Sequence, residues 1–479
     1  MALPPSVSGK ALVTSGSPVK VILKLAAPTV LAMLAQSAVN EVDIIFFSRL
    51  PCPESSTAQA ALLPSLILLW MFGGSLSAIS VGTQAISARR FAEGKSNDAG
   101  AVLVNSWVCS LLAGAVFTVV GYLVMPYALH ALIRVPEVRE AAQGYLKWRL
   151  LGITSMAATF SFKSFFDGIG KTHVHMVASV VMNVINVVLC IALIFGYWGS
   201  PRMGMTGAGV AGAVSSWVGL FIMAGWAGLS HYRINFRPFD LTRVVRGLMG
   251  DILRLSVPSA IATVAVMSGF ALFSGIVSHL DSVSHSAVLR SDCPGGHGEA
   301  VNSAATALIV EILKLTFTAC LAFGTSTATL VSQSLGAGEP DKAVRFGWVS
   351  VRLGLIIFGV VGLLEGVFLT SPLLHLVTQS PAVYATALVP MRMMGLCTPL
   401  IAVGMILTQA LFGAGNTKFV MLVELVLHFF CLVPLAWLFG ITLNLGLTGI
   451  WASAAIYVLL LTTVMVWKFR RGDWKSIAI

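Results

Sequence analysis

The chain has 479 residues, 57% of them hydrophobic and only 10% charged, with a mean hydropathy of +0.89. A soluble domain needs roughly a quarter of its residues charged to cover its surface, so these proportions exclude a water-soluble globular protein and point to lipid as the solvent. The net charge of +11 invites nucleic acid as a partner, but the basic residues sit in the breaks between apolar runs rather than in one patch, which argues against it.

Residues 1–18 are polar and lack an apolar h-region, so no cleaved signal peptide is expected. Twelve apolar runs follow, near 19–47, 58–88, 99–125, 138–164, 172–196, 207–230, 247–279, 303–334, 344–370, 382–411, 418–440 and 447–468. Each meets the demand of a bilayer core about 30 Å thick, which takes about 20 apolar residues per helix. The predicted fold is all-α and integral to the membrane, with twelve transmembrane helices. With the N-terminus in the cytoplasm, twenty of the 30 Lys and Arg fall on the inner side, five outside and five within spans. This positive-inside bias predicts a multi-pass plasma-membrane protein (inner membrane in a Gram-negative cell) with both termini cytoplasmic.

Five of the seven cysteines fall inside spans, where they serve as small apolar residues. Cys52 and Cys293 lie in corresponding outer loops and could pair there. No Cys or His spacing suits a metal, and no cofactor is expected.

The chain repeats itself. Ile22-Leu-Lys-Leu-Ala-Ala-Pro28 returns as Ile252-Leu-Arg-Leu-Ser-Val-Pro258, and Ser48-Arg-Leu50 as Ser278-His-Leu280, both at an offset of 230. After an insertion near 281–301 the offset becomes 242–245. There Ala92-Glu-Gly94 faces Gly336-Ala-Gly338, and Arg149-Leu-Leu-Gly152 faces Arg392-Met-Met-Gly395. Gly168-Ile-Gly-Lys-Thr172 faces Gly413-Ala-Gly-Asn-Thr417, and Gly204-Met-Thr-Gly207 faces Gly446-Leu-Thr-Gly449. Six helices per half is an even number, so both halves start inside and the repeats are parallel. The expected division is a cytoplasmic segment 1–18, an N-lobe 19–231, a basic cytoplasmic linker 232–246, a C-lobe 247–469 and a tail 470–479. A substrate cavity is expected between the lobes, which is a transporter's build.

Three apparent motifs carry nothing. Gly94-Lys-Ser96 and Gly170-Lys-Thr172 look like the end of a phosphate loop, but Arg89 and Phe165 stand where its first glycine belongs. Gly207-Ala-Gly-Val-Ala-Gly212 opens an apolar span and follows no strand, so small residues at a helix contact explain it. His173 and His175 have no acidic or Cys partner nearby. No ATPase module is present, so pumping would draw on an ion gradient.

Ionisable residues inside a membrane are costly and are functional candidates by default. Glu41 and Asp43 lie in the first span, Glu311 and Lys314 in the eighth, Arg352 and Glu365 in the ninth, and Glu424 in the eleventh. Glu311 and Lys314 can neutralise each other three residues apart. Glu424, near the inner boundary, can reach water, and Arg149 and Arg392 can snorkel to the outer interface. Asp43 differs in its company. Gln36, Asn40 and Asp43 stand at i, i+4 and i+7 on one helix face. Pro28 removes a backbone hydrogen bond from that helix and makes it bendable. The fifth span adds Asn183 and Asn186. A carboxylate among amides can hold a proton or a sodium ion without a permanent counter-charge.

On these residues the chain resembles the MATE (multidrug and toxin extrusion) family over nearly its whole length. Pro28 followed by Asn40-Glu-Val-Asp43-Ile-Ile-Phe46 is similar to that family's first helix, with its N-x-x-D-x-x-F pattern and bending proline. Glu93-Gly94, Gly336-Ala-Gly338, Gly168-Ile-Gly-Lys-Thr172, Leu193-Ile-Phe-Gly196, Gly413-Ala-Gly-Asn-Thr417 and Leu438-Phe-Gly440 are similar to its interhelical signatures. The resemblance implies export of organic cations or amphiphiles against inward H⁺ or Na⁺. The chain departs from the family where Asn186-Val-Val-Leu-Cys190 carries Cys in place of a second Asp. The repeat positions of Asn40 and Asp43 are Phe270 and Phe273, and the interiors of the seventh and tenth spans hold no acid. Asp43 is left as the ion-coupling residue, which favours a proton and resembles the DinF-type branch more than the NorM-type.

The expected function is thus a monomeric, proton-coupled antiporter of drug-like organic cations or amphiphilic metabolites. Asp43 couples the ion, Gln36, Asn40, Asn183 and Asn186 line the binding site, and Pro28 is the hinge. A flippase for lipid-linked intermediates is the alternative, but more basic residues in the cavity or extra helices would be expected of one. An integral-membrane enzyme would need a His/Asp/Glu cluster at one face. The outer loop 279–299 alone offers one, with His279, Asp281, His285, Asp292, Cys293, His297 and Glu299, and it reads as a flexible insertion.

Overall fold

The computed structural model describes residues 17–51, 54–133, 135–284, 287–288, 299–378, 380–477 and 479. Helices form where the apolar runs predict them. In the first half these are α1 (Pro18–Ser48), α2 (Glu54–Leu69, running on through Trp70–Gly74 and Ser75–Ala78 to Ile79–Ala92), α3 (Ser96–Leu132), α4 (Pro136–Gly168), α5 (Thr172–Phe195) and α6 (Met205–Ala227). A short α7 (Ser230–Phe236) leads into the second half. There follow α8 (Arg246–Ser284), α9 (Val301–Gly336), α10 (Pro340–Leu363, extended by Leu364–Phe368), α11 (Thr370–Val377) and α12 (Pro381–Gly413). The last two are α13 (Thr417–Leu427, continuing through His428–Leu432 and Val433–Trp437 to Leu438–Thr442) and α14 (Gly446–Arg471).

Among the described residues, eleven of these helices are long and apolar enough to cross a membrane. The fourth expected span, α4, is 33 residues long but has charges at both ends and Arg149 in its middle. It packs along α3 and α6 and stands at the place of the fourth expected span. The surface is that of a protein dissolved in lipid. Leu123 and Phe221 are each 66% exposed, while serines such as Ser106, Ser110 and Ser161 are fully buried, the reverse of a soluble domain. Ser106 shares hydrogen bonds with Thr83 at 2.5 Å and Ser161 at 2.8 Å, and Ser110 joins Ser161 at 2.6 Å. This hydroxyl chain links α2, α3 and α4, and small side chains of this kind let membrane helices approach closely.

The chain divides into two compact units, residues 1–260 with 329–343 and 479, and residues 261–328 with 344–478. The repeated glycines have a physical cause. Gly170 and Gly415 have φ of 75° and 86° in the turns that precede α5 and α13, a left-handed conformation that glycine adopts at no steric cost.

Other expectations meet their structures here. Lys314 Nζ and Glu311 Oε2 pair at 2.7 Å. The glycines of the GxGxxG string are helix contacts: a Cβ on Gly207 would stand 2.7 Å from the Leu193 backbone, and one on Gly209 2.5 Å from Tyr145 O. The insertion near 281–301 departs from a plain flexible loop at its described ends. Asp281 accepts from Asn302 N at 2.9 Å, Asn302 Nδ2 at 2.8 Å and Ser303 N at 2.9 Å, which ties the end of α8 to the start of α9. Ala287 and Val288 pair antiparallel with Ala300 and Glu299, and His279 stacks on Trp437 with centroids 5.2 Å apart. Asp281 therefore serves as a helix cap. Cys52, Cys293, His285, Asp292 and His297 lie outside the described residues. The five cysteines within spans are free.

Candidate functional site

The first unit gathers one polar group among α1, α4, α5 and α6. Helix α1 runs unbroken through Pro28, which cannot donate to the turn before it, and Thr29 Oγ1 donates to Leu25 O at 3.0 Å beside the gap. Asp43, four turns further on, is only 6% exposed. On α5, Asn183, Asn186 and Cys190 are spaced by three and four residues, so they share one face, and all three are buried.

The Cys190 thiol faces two acceptors, Asp43 Oδ1 at 3.6 Å and Asn186 Oδ1 at 3.8 Å. Asn186 Nδ2 in turn donates to Ser215 Oγ on α6 at 3.1 Å. A relay therefore runs from Asp43 through Cys190 and Asn186 to Ser215. Asn183 Nδ2 is buried with no partner among the described residues, and such an orphan donor costs about 1–3 kcal/mol unless a ligand or water meets it. Gln36 shares the stripe of Asp43 but is exposed and stays outside the relay. The side chain of Asn40 lies outside the described residues.

Asp43 forms no ion pair among the described residues, but it is not without a positive charge in range, that of the Arg149 guanidinium. This guanidinium does not snorkel to the interface: it lies against Gly212 of α6, at a spot a Cβ would occupy, and over the ring of Tyr145, 5.6 Å from the centroid. Arg149 Nε and Tyr145 Oη are buried, and the two side chains lie within reach of each other. Sequence reasoning missed Arg149, Tyr145 and Ser215. The available signal was the pairing of an intramembrane Arg with a small-residue string on a later span. Glu424 also departs from expectation. It is 7% exposed and sits among side chains rather than reaching for water. Among the described residues there is no group of three or more His, Cys, Asp or Glu placed to hold a metal.

The arrangement can bind and release one proton at a carboxylate, with a fixed cation and a thiol to receive the charged form. It also leaves donors free for a polar ligand.

Comparison with known proteins agrees with this build. The multidrug resistance protein NorM of Burkholderia vietnamiensis is 26% identical over 478 residues, covering 98% of this chain and 95% of that protein. The multidrug resistance protein PmpM of Pseudomonas aeruginosa is 25% identical over 425 residues, covering 88% and 84%. Among solved structures, the outward-facing conformation of a multidrug resistance MATE family transporter of the MOP superfamily superposes with a TM-score of 0.85 at 20% identity, over 99% of this chain and 100% of that one. A MOP superfamily transporter from Pyrococcus furiosus, described as having a binding pocket of reverse polarity that suggests a different function, gives 0.84 at 21% identity over 99% and 100%. At these identities the superpositions show a shared fold. The MatE family model matches residues 28–192 and 296–438, well over half of the sequence, and the chain belongs to the MatE family of membrane transporters.

Proposed function

We propose that this transporter exports drug-like organic cations or amphiphilic metabolites and takes up a proton in exchange, with Asp43 as the coupling group. The observation that carries this reading is the setting of Asp43, a buried carboxylate that accepts from the Cys190 thiol and has Arg149 within electrostatic range. A sodium ion asks for a shell of oxygen ligands, and this site offers it a thiol and a neighbouring positive charge that repels it. A proton needs neither ligands nor space. That two of the relatives are named multidrug resistance proteins supports drug-like molecules as substrates.

The cycle follows from charge. Ionised Asp43 is balanced by Arg149, and protonation from outside removes that balance and frees the guanidinium. Helix α1 then bends at Pro28, the N-lobe site contracts and the substrate leaves outward. Deprotonation inside resets it, and linkage requires that substrate binding favour proton loss. Asn183 and Asn186 contribute amides to the substrate or the proton relay. The two lobes, 19–231 and 247–469, are parallel repeats, the termini are cytoplasmic and the monomer is the working unit.

The test is ethidium export from liposomes holding the purified protein under an imposed pH gradient. Asp43→Asn mimics the protonated form and is expected to lower proton-driven export by at least about tenfold, or about 1.4 kcal/mol, with the protein folded and inserted. Asp43→Glu retains part of it. Wild-type export by Asp43→Asn overturns the mechanism.

A further inference from the structure

By the offset of 230, Asp43 is matched in the second half by Phe273, yet that half buries an acid of its own. Glu424 on α13 accepts a hydrogen bond from Tyr457 Oη of α14 at 2.9 Å. His428 Nδ1 stands 3.3 Å from Glu424 Oε2 and 2.9 Å from the Glu424 backbone oxygen. A carbonyl only accepts, so Nδ1 carries the hydrogen and gives it to the backbone oxygen, with Oε2 alongside. Glu424 Oε2 thus accepts from Tyr457 and has the imidazole of His428 beside it, which puts an acid and a histidine together in one buried spot. The capacity of His428 to take a further proton then lies on Nε2.

The packing is specific to this group. The imidazole lies 4.6 Å from the Tyr457 ring and against Gly269 of α8, where a Cβ would come 2.6 Å from His428 Cδ2. His428 opens a π turn, His428–Leu432, a distortion frequent at functional sites. The thiol of Cys431, on that same turn, is buried as well. Among the described residues no Lys or Arg pairs with Glu424.

The repeat explains why these residues meet. The offset of 245 that aligns Gly168–Thr172 with Gly413–Thr417 also aligns Ser179 with Glu424, Asn183 with His428 and Asn186 with Cys431. The offset of 242 aligns Ser215 with Tyr457. The second half therefore places His428, Cys431 and Tyr457 where the first half places Asn183, Asn186 and Ser215, the buried polar residues of α5 and α6. Its acid has moved from the first helix of the repeat to the fifth.

We propose that Glu424, His428 and Tyr457 form a second proton-binding site, so that each half of the transporter carries a proton. Ionised Glu424 with neutral His428 holds one negative charge inside the membrane. A proton on His428 Nε2 turns this into a carboxylate–imidazolium pair with no net charge, which is cheaper to keep in lipid. Proton occupancy thus changes the electrical load of the second half, as it does at Asp43.

This proposal rests on the proton-antiport reading, and the experiment separates the two. Purified protein in liposomes is given ethidium and a pH gradient, and protons moved per ethidium are counted for wild type, Asp43→Asn, Glu424→Gln and His428→Asn. Glu424→Gln and His428→Asn are expected to halve the proton count and flatten the pH profile while export continues, whereas Asp43→Asn stops export. Wild-type export by Asp43→Asn refutes the antiport reading at Asp43. A wild-type proton count and pH profile in both Glu424→Gln and His428→Asn refutes the second site and leaves the cluster a structural pair. Should either of these fail to fold, Tyr457→Phe removes one donor with little change of volume. It should move the pH of half-maximal export up by about half a unit, the worth of one hydrogen bond. An unmoved profile in that variant overturns the proposal.

Discussion

Cys190 Sγ lies 3.6 Å from Asp43 Oδ1 and is the donor in that contact, so the residue that replaces the family's second Asp binds the first one instead of competing with it for a cation. A carboxylate at position 190 would share the site as a like charge. A thiol supplies a weak donor and leaves Arg149 as the strongest electrostatic partner.

Substitution of Cys190 tests this directly. Cys190→Ser keeps a donor in place and should export within about twofold of wild type, since the exchange of one hydrogen bond for another is nearly neutral. Cys190→Asp restores two carboxylates, which cannot both ionise at that distance without a cation between them. Its proton-driven export should fall, and a sodium gradient at fixed pH should now stimulate it. Stimulation of the wild type by sodium would sink the proton assignment.

Two glycines on α6 separate packing from function. A Cβ on Gly209 meets the Tyr145 backbone oxygen at 2.5 Å, which cannot move aside, so Gly209→Ala should cost about 1–3 kcal/mol and lower the melting temperature in detergent. A Cβ on Gly212 meets the end of the flexible Arg149 side chain, which can swing away. Gly212→Ala should therefore melt near wild type but export about tenfold more slowly, as the counter-charge of Asp43 is displaced. Equal melting losses in both variants would show that Arg149 is held only for packing.

Pro28→Ala returns the missing N–H to α1 and stiffens it. Turnover of ethidium should fall several-fold while its half-saturating concentration stays within about twofold, as expected when a conformational step rather than binding is slowed. A changed affinity at wild-type turnover would place Pro28 in the binding site instead of the hinge.

Twelve spans were legible because lipid demands long apolar runs, and the pairing of Asp43 with the α5 face was legible because i, i+3 and i+7 spacings define a stripe. Distance along the stripe was not. Gln36 and Asp43 are seven residues apart, about 10 Å on a helix, and only the outer one reaches the relay. Arg149 looked like a snorkelling residue because the sequence shows Gly212 but not that its helix lies against Arg149. Glu424 looked water-facing because its partner Tyr457 is 33 residues away on another helix, and His428 passed unnoticed because a lone histidine in a span has no local signature.

Orientation in the membrane is tested by labelling. Single cysteines in 233–246 should resist membrane-impermeant thiol reagents added outside, and ones in 282–298 should react, as the twenty-to-five distribution of basic residues requires. Reversed labelling would invert the topology and with it the direction of transport.

Asp281, by gripping the backbone of Asn302 and Ser303 at 2.9 Å each, makes a clasp whose two sides are 21 and 22 residues apart in the chain. Because the clasp fixes where the insertion leaves and re-enters the bundle, lengthening the segment inside it adds only the slow logarithmic entropy of a larger loop. Evolution or an engineer can splice a tag, a fluorescent reporter or a binder epitope between Val288 and Glu299 and handle the transporter by it, without sending strain into the helices that do the work.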